Sequence, residues 1–159
     1  MTPLTYSLDT SALIDGIERF YPRRHFPKLW DHVDALISNG RLLISEEAWA
    51  EAISTDAPLK EWCEEIGMGR ASSMYATTTE VASVAGQIVA QYPQWLKQGG
   101  KNGADPFVIA VAEVKSGMVI SGETNGGPAK PKIPYVCEQR QINHGKLIDL
   151  IRTEDWVVG

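Results

Sequence analysis

Tyr6-Ser7-Leu8-Asp9-Thr10-Ser11-Ala12-Leu13-Ile14 runs from a short apolar stretch through a single acid into a second apolar stretch of helical character. Reading Leu4 to Leu8 as a buried strand and Thr10 to Ile17 as the start of a helix puts Asp9 at a strand-to-helix junction, where an open α/β sheet presents its functional groups. The acid reads two ways. It is either an N-cap, accepting the free N–H groups of the first helical turn, or one member of a set whose partners lie at comparable junctions further on.

Working outward, the same alternation repeats. Leu29, Trp30, Val33, Leu36 and Ile37 recur at helical spacing after Pro27, and Asn39-Gly40 stops them. Arg41 to Ile44 reads as a second strand, and Ser45 is placed to cap a helix over Glu46 to Ser54. Further helices are predicted from Pro58 through Ile66 and from Thr79 to Gln91, with Gln98 to Gly103 as a polar loop. Asp105-Pro106 fits an N-cap with proline at the first helical position; the apolar helix from Phe107 to Ser116 is stopped by Gly117. Met118 to Ser121 is a third strand, and Pro134 to Gln139 and Lys146 to Arg152 read as short helices. Strands separated by helices imply parallel pairing with right-handed crossovers, and so a three-layer α/β/α sandwich with a central, mostly parallel sheet.

With 159 residues, 43% of them hydrophobic, the chain is expected to form a single domain over 1–159. A formal net charge of -5 argues against coating nucleic acid through bulk positive charge. It leaves room for a nuclease, whose site acids themselves add negative charge. Two cysteines, Cys63 and Cys137, are too few and too distant for a secreted disulfide scaffold. Without a basic, apolar leader in Met1 to Leu8 or a long apolar run, the expectation is a soluble cytoplasmic protein with no membrane partner.

Placed on this architecture, Asp9 follows the first strand, while Glu46, Glu47 and Glu51 lie on the helix after the second. Asp105 opens a later helix, and Glu123 follows the third strand. Four carboxylates in one crevice repel unless they are protonated or hold a cation. A hard divalent ion, Mg2+ or Mn2+, suits such a set of oxygen ligands.

These junctions resemble the PIN-domain family of metal-dependent ribonucleases, which includes the VapC-type toxins. The resemblance spans nearly the whole chain. Its opening strand, Asp-Thr-Ser and apolar helix match Leu8 to Ile14, and its second acid matches Glu51 in Ile44-Ser45-Glu46-Glu47-Ala48-Trp49-Ala50-Glu51, with Glu47 as the alternative. The third motif, an acid opening an alanine-rich helix, matches Asp105-Pro106-Phe107-Val108-Ile109-Ala110-Val111-Ala112. The fourth matches Glu123 in Val119-Ile120-Ser121-Gly122-Glu123, with Asn125 as a substitute. The family's usual further Asp-Phe is replaced by Gly126-Gly127-Pro128-Ala129-Lys130-Pro131-Lys132, which marks a divergent subfamily. After it, Ile133 to Glu138 and Leu147 to Ile151 look like a closing helix and a final sheet element.

The resemblance implies an endoribonuclease in which Asp9, Glu51, Asp105 and Glu123 hold Mg2+ or Mn2+ and Ser11 supports an acid by hydrogen bonding. Water activated by the metal would cleave an RNA phosphodiester in line, leaving a 3'-hydroxyl and a 5'-phosphate. The toxin half of a toxin–antitoxin pair is the implied role, with an antitoxin and a second copy of the chain as partners. A catalytically silent interaction module on the same fold is the alternative. A haloacid-dehalogenase-type phosphohydrolase needs a second acid where this chain has Ser11. Gly99-Gly100-Lys101-Asn102-Gly103 lacks P-loop spacing, though Lys101 is a candidate phosphate contact. His25 and His32 lack zinc partners, and nothing local activates Cys137 or His144. Arg23, Arg24, Lys28, Lys130 and Lys132 are candidates for steering RNA or are simply solvated.

Overall fold

The computed structural model describes residues 3–55, 58–96 and 103–159. β1 (Tyr6–Leu8) leads into α1 (Thr10–Asp15), a π-helical turn at Gly16–Phe20, α2 (Pro27–Ser38) and β2 (Leu42–Ser45). α3 (Glu46–Ser54) and α4 (Pro58–Glu64) precede a 3-10 turn at Arg70–Ser73 and β3 (Met74–Tyr75). α5 (Thr79–Gln91), α6 (Pro93–Leu96) and α7 (Asp105–Val114) come before β4 (Met118–Ile120), and α8 (Ile133–Arg140), β5 (His144–Gly145) and α9 (Leu147–Glu154) follow it.

The strands form one parallel sheet in the order β3-β2-β1-β4-β5, with Tyr6 opposite Leu42 on one side and Met118 on the other. This is the expected α/β sandwich. The chain winds from β1 out to β3, then returns to place β4 on the other side of β1. The sheet therefore changes direction between β1 and β4, and the crevice beyond their carboxyl ends is where such sheets bind ligands.

Alternation along β1 fixes the two faces. Ser7 donates its hydroxyl to Val108 O of α7 at 2.6 Å, while Tyr6, on the opposite face, reaches Glu154 at the end of α9. Arg41 grips the same Glu154 carboxylate through both terminal nitrogens, at 2.6 and 3.0 Å. Helix α7 is apolar nearly all round because it is enclosed, lying on β1, β2 and β4 beneath α5.

Several elements differ from the sequence expectation. β3 and β5 have two residues each, too short to carry a period of two, and were not predicted. Leu147 to Ile151 is no sheet element but part of α9, and the final strand is His144–Gly145. Asp105 is not an N-cap. The helix already includes it, Ala104 is the cap residue, and no side chain caps the turn. The Gln98–Asn102 part of the predicted loop, with Lys101, lies outside the described residues.

Gly117 does not stop α7 by taking the left-handed conformation; Ser116 does so, with φ 52. Gly117 N donates to Ala112 O at 2.8 Å and Ser116 N to Glu113 O at 3.2 Å, the bonding of a Schellman motif. Glycine is required at 117 for another reason: a Cβ there would stand 2.3 Å from Thr5 O, the carbonyl that accepts Met118 N at 2.9 Å. Gly117→Ala should therefore destabilise the fold by about 2 kcal/mol or more, since neither backbone can yield without separating β1 from β4. Thermal denaturation should show a fall of roughly 4 °C or more; an unchanged midpoint would refute the close approach.

Candidate functional site

The crevice between β1 and β4 gathers three of the acids. Asp9 leaves the end of β1, its N–H donating to Ile120 O at 2.8 Å, so the ends of the two central strands are pinned together. Asp105 arrives on the first turn of α7, and Glu123 sits three residues beyond β4. One carboxylate oxygen from each of Asp9, Asp105 and Glu123 lies within 4.8 Å of the others. Oxygens roughly 2.0–2.6 Å from a common cation can have that spread.

Asp9 is in the N-cap position of α1, yet its side chain caps nothing. Its Oδ2 accepts the Ser11 hydroxyl and, at 3.3 Å, that of Ser121. The capping reading of Asp9 is thereby replaced: the carboxylate is held by two hydroxyls and turned toward the other acids. Ser11 Oγ also accepts Gly122 N at 2.9 Å, tying α1 to the segment after β4. Only glycine fits at 122, because a Cβ would meet Asp15 Oδ2 at 2.3 Å and Ser11 O at 2.9 Å. Glu123 is oriented at both ends, its N–H donating to Ser121 Oγ at 3.1 Å and its Oε2 accepting Ile133 N at 2.9 Å.

Burial makes these groups costly to charge. Asp9 is 3% exposed and Asp105 6%. Desolvation pushes Asp9 up to about 7, against the Ser11 and Ser121 hydrogen bonds and with the charges of Glu123 and Glu51 adding to the rise. Asp105 is pushed up to about 10, first by desolvation, then by the charges of Asp9, Glu123 and Glu51. The Glu123 side chain beside it adds to the rise. Its Oδ2 is buried without a partner. The pocket thus has an unsatisfied oxygen and more negative charge than it can carry alone, and the three acids can hold a metal ion.

The other predicted site residues are placed as follows. Glu51, half-buried on α3, accepts the Thr10 hydroxyl on Oε1 at 3.0 Å. It stands outside the three-acid group but near enough for its charge to act on Asp9 and Asp105. Glu47 is directed elsewhere, accepting the Thr77 hydroxyl beyond β3. Asn125 is exposed and joins Glu123, His144 and Lys146 around a cavity of about 220 Å³. Thr10 and Ser121 were not singled out from sequence. Their signal is a hydroxyl at a strand end beside an acid, too common to stand out until the fold closes the distance.

The weaker candidates find structural roles. His32 stacks on Trp156 with ring centroids 4.9 Å apart. Cys137 is fully buried, which pushes its thiol up to about 12, and His144 Nε2 bonds Glu138 at 2.8 Å. That is no thiolate nucleophile with its base. Among the described residues, no helix is long and apolar enough to cross a membrane.

Residues 6–158 match the family described as "Domain of unknown function (DUF4411)", and the chain belongs to that family. Among curated proteins no match was found. Among solved structures, a chain in the structure of FitAB bound to an IR36 DNA fragment is similar, with a TM-score of 0.54 and 16% identity over 90% of this chain and 95% of that one. A chain of VapBC2 from Rickettsia felis, bound to a DNA fragment from their promoter, gives 0.53 and 12% over 90% and 98%. The shared feature is the fold, a PIN-like three-layer sandwich.

Proposed function

We propose that this member of the DUF4411 family is a divergent PIN-type endoribonuclease dependent on Mg2+ or Mn2+, acting as the toxin of a toxin–antitoxin pair. One observation carries the reading: Asp9, Asp105 and Glu123 converge within 4.8 Å in a buried crevice at the β1/β4 switch, with a carboxyl oxygen left unpartnered. A pocket built only to stabilise the fold gains nothing from assembling mutually repelling acids.

Asp9, Asp105 and Glu123 would hold the cation, with Glu51 adding charge from the side. The cation supplies Lewis-acid stabilisation for the charge that develops on a phosphodiester under attack by water. The protein's own residues set the geometry. Ser11 and Ser121 lock Asp9, Ile133 N fixes Glu123, and Thr10 steadies Glu51 so that its carboxylate stays beside the pocket. Mutually packed supports of this kind keep metal-binding carboxylates in place before substrate arrives.

RNA as the substrate and an antitoxin and a second copy of the chain as partners follow from the resemblance to VapC-type toxins. The FitAB and VapBC2 structures, captured on DNA, support the antitoxin partner through the shared fold. The test is calorimetric titration with Mn2+ alongside cleavage of single-stranded RNA. Stoichiometric binding and cleavage abolished by EDTA are expected. Absence of binding, or cleavage indifferent to Asp9→Asn and Asp105→Asn, would leave the silent interaction module in its place.

A further inference from the structure

Gly126 to Lys132, the stretch that stands where the PIN pattern has a further Asp-Phe, is more than a connection. Gly126 and Pro131 form an antiparallel bridge, and Gly127 N donates to Lys130 O at 3.1 Å, so the chain doubles back on itself. Gln94 of α6 donates its side-chain amide to Pro128 O at 3.2 Å near the tip, and Lys132 Nζ reaches Thr124 Oγ1 at 3.4 Å across the base. Residues 124–132 thus form a strap between β4 and α8.

Both ends of the strap are tied to the acidic pocket. At its entry, Glu123 N donates to Ser121 Oγ at 3.1 Å, and the same hydroxyl bonds Asp9 Oδ2 at 3.3 Å. At its exit, Ile133 N donates to Glu123 Oε2 at 2.9 Å. That bond is the clasp. Ile133 is the first residue of α8, so its N–H has no acceptor within the helix, and Lys132 at the N-cap position offers no side-chain cap. Because Ile133 is fully buried, losing Glu123 would leave a buried donor unpaired. The acceptor is itself a pocket acid, with one oxygen within 4.8 Å of those of Asp9 and Asp105. One side chain therefore both closes the strap and faces the site of the cation.

Gly126 decides whether the strap can close. Its φ is 69, and a Cβ there would meet Lys130 O at 2.7 Å and Lys132 Cβ at 2.9 Å, both on the opposite leg. At Gly127, beside it, a Cβ would meet nothing within 4 Å. A cation shared by the three acids cancels the repulsion that drives Glu123 away from Asp9 and Asp105, and so holds its carboxylate where the clasp forms. A closed strap, conversely, holds Glu123 in place before the cation arrives.

We propose that residues 124–132 position Glu123 for the cation, with Gly126 as the residue that lets the strap close, and that cation binding in turn tightens the strap. The coupling rests on the reading of Asp9, Asp105 and Glu123 as a cation site, and by linkage it is reciprocal. The competing role is purely structural: Glu123 would serve only as a remote cap for α8, and the strap would be blind to metal.

The test reads the clasp and the affinity separately. Exchange of the Ile133 amide with solvent, followed by NMR, should slow about tenfold when saturating Mg2+ replaces EDTA, as expected when a hydrogen bond to a carboxylate is held more firmly. Gly126→Ala should weaken Mn2+ binding about tenfold in calorimetry, the scale on which supports of a metal ligand act, and should speed Ile133 exchange in EDTA. Gly127→Ala should bind Mn2+ as wild type does. Should Gly126→Ala fail to fold, the exchange of the wild-type amide still decides. If Mn2+ binds but Ile133 exchange ignores Mg2+, or folded Gly126→Ala binds Mn2+ with wild-type affinity, the strap is overturned and the cation site stands. If wild-type protein binds neither ion, the cation site falls and the coupling falls with it.

Discussion

Asp105→Asn should cut RNA cleavage about a thousandfold or more while making the metal-free protein more stable than wild type. The first half follows if Asp105 is a ligand: three decades in rate correspond to roughly 4 kcal/mol of transition-state stabilisation, the scale on which a bound cation acts. The second half separates a site acid from a structural one. Asp105 is buried against Asp9 and Glu123, with one oxygen unpartnered. Replacing the carboxyl by an amide of the same shape removes the cost of keeping a proton that the unfolded chain has already released.

The gain should depend on pH in a definite direction. A carboxyl whose folded pKa is raised binds more protons folded than unfolded, so its penalty is absent below about 4 and grows as pH rises toward the folded value. For Asp105, pushed up to about 10, the penalty is still growing at pH 8. Asp105→Asn should thus match wild type near pH 4 and exceed it at pH 8 by a few kcal/mol, or several degrees in melting temperature. Calorimetry in EDTA at the two values decides. A variant less stable than wild type at pH 8 would show that the carboxylate is held by attractive contacts, and would sink the metal centre.

Much of this site was legible because each acid sits where a local pattern changes. Asp9 and Asp105 open apolar helices, and Glu123 follows a strand, a serine and a glycine; each junction carries a period change that sequence displays. What the sequence could not display was distance. It left Asp9 and Asp105 open as helix caps, a role that only coordinates exclude, since the Asp9 carboxylate bends toward Ser11 and Ser121. It assigned Glu51 the rank of a ligand equal to the others, whereas a hydroxyl 41 positions away, Thr10, holds that side chain beside the three-acid group. It explained Gly117 by helix termination, when the constraint is the Thr5 carbonyl across the β1/β4 ladder. The two outer strands stayed hidden because pairing, not side-chain pattern, creates a two-residue strand.

Wild-type protein stripped of metal should lose stability as pH rises from about 4 through 7, and Mn2+ should restore it most at the alkaline end. Asp9, raised to about 7, and Asp105, raised further, both retain protons in the folded state that the unfolded chain has already released. Between the unfolded pKa and the folded one, each unit of pH costs about 1.4 kcal/mol for each such group. The Arg41–Glu154 pair, whose carboxylate is lowered, works the other way but only at the acid end. A divalent cation reverses the penalty by favouring the ionised acids, and at a hundredfold excess over its Kd adds about 2.7 kcal/mol, equivalent to roughly 5 to 10 °C. Binding must also expel the protons held by Asp9 and Asp105, so the measured enthalpy at pH 6 should vary with the ionisation enthalpy of the buffer. A melting temperature that rises with pH in EDTA, or metal binding that releases no protons, would mean that the acids are already ionised and satisfied by the protein, leaving nothing for a cation to do.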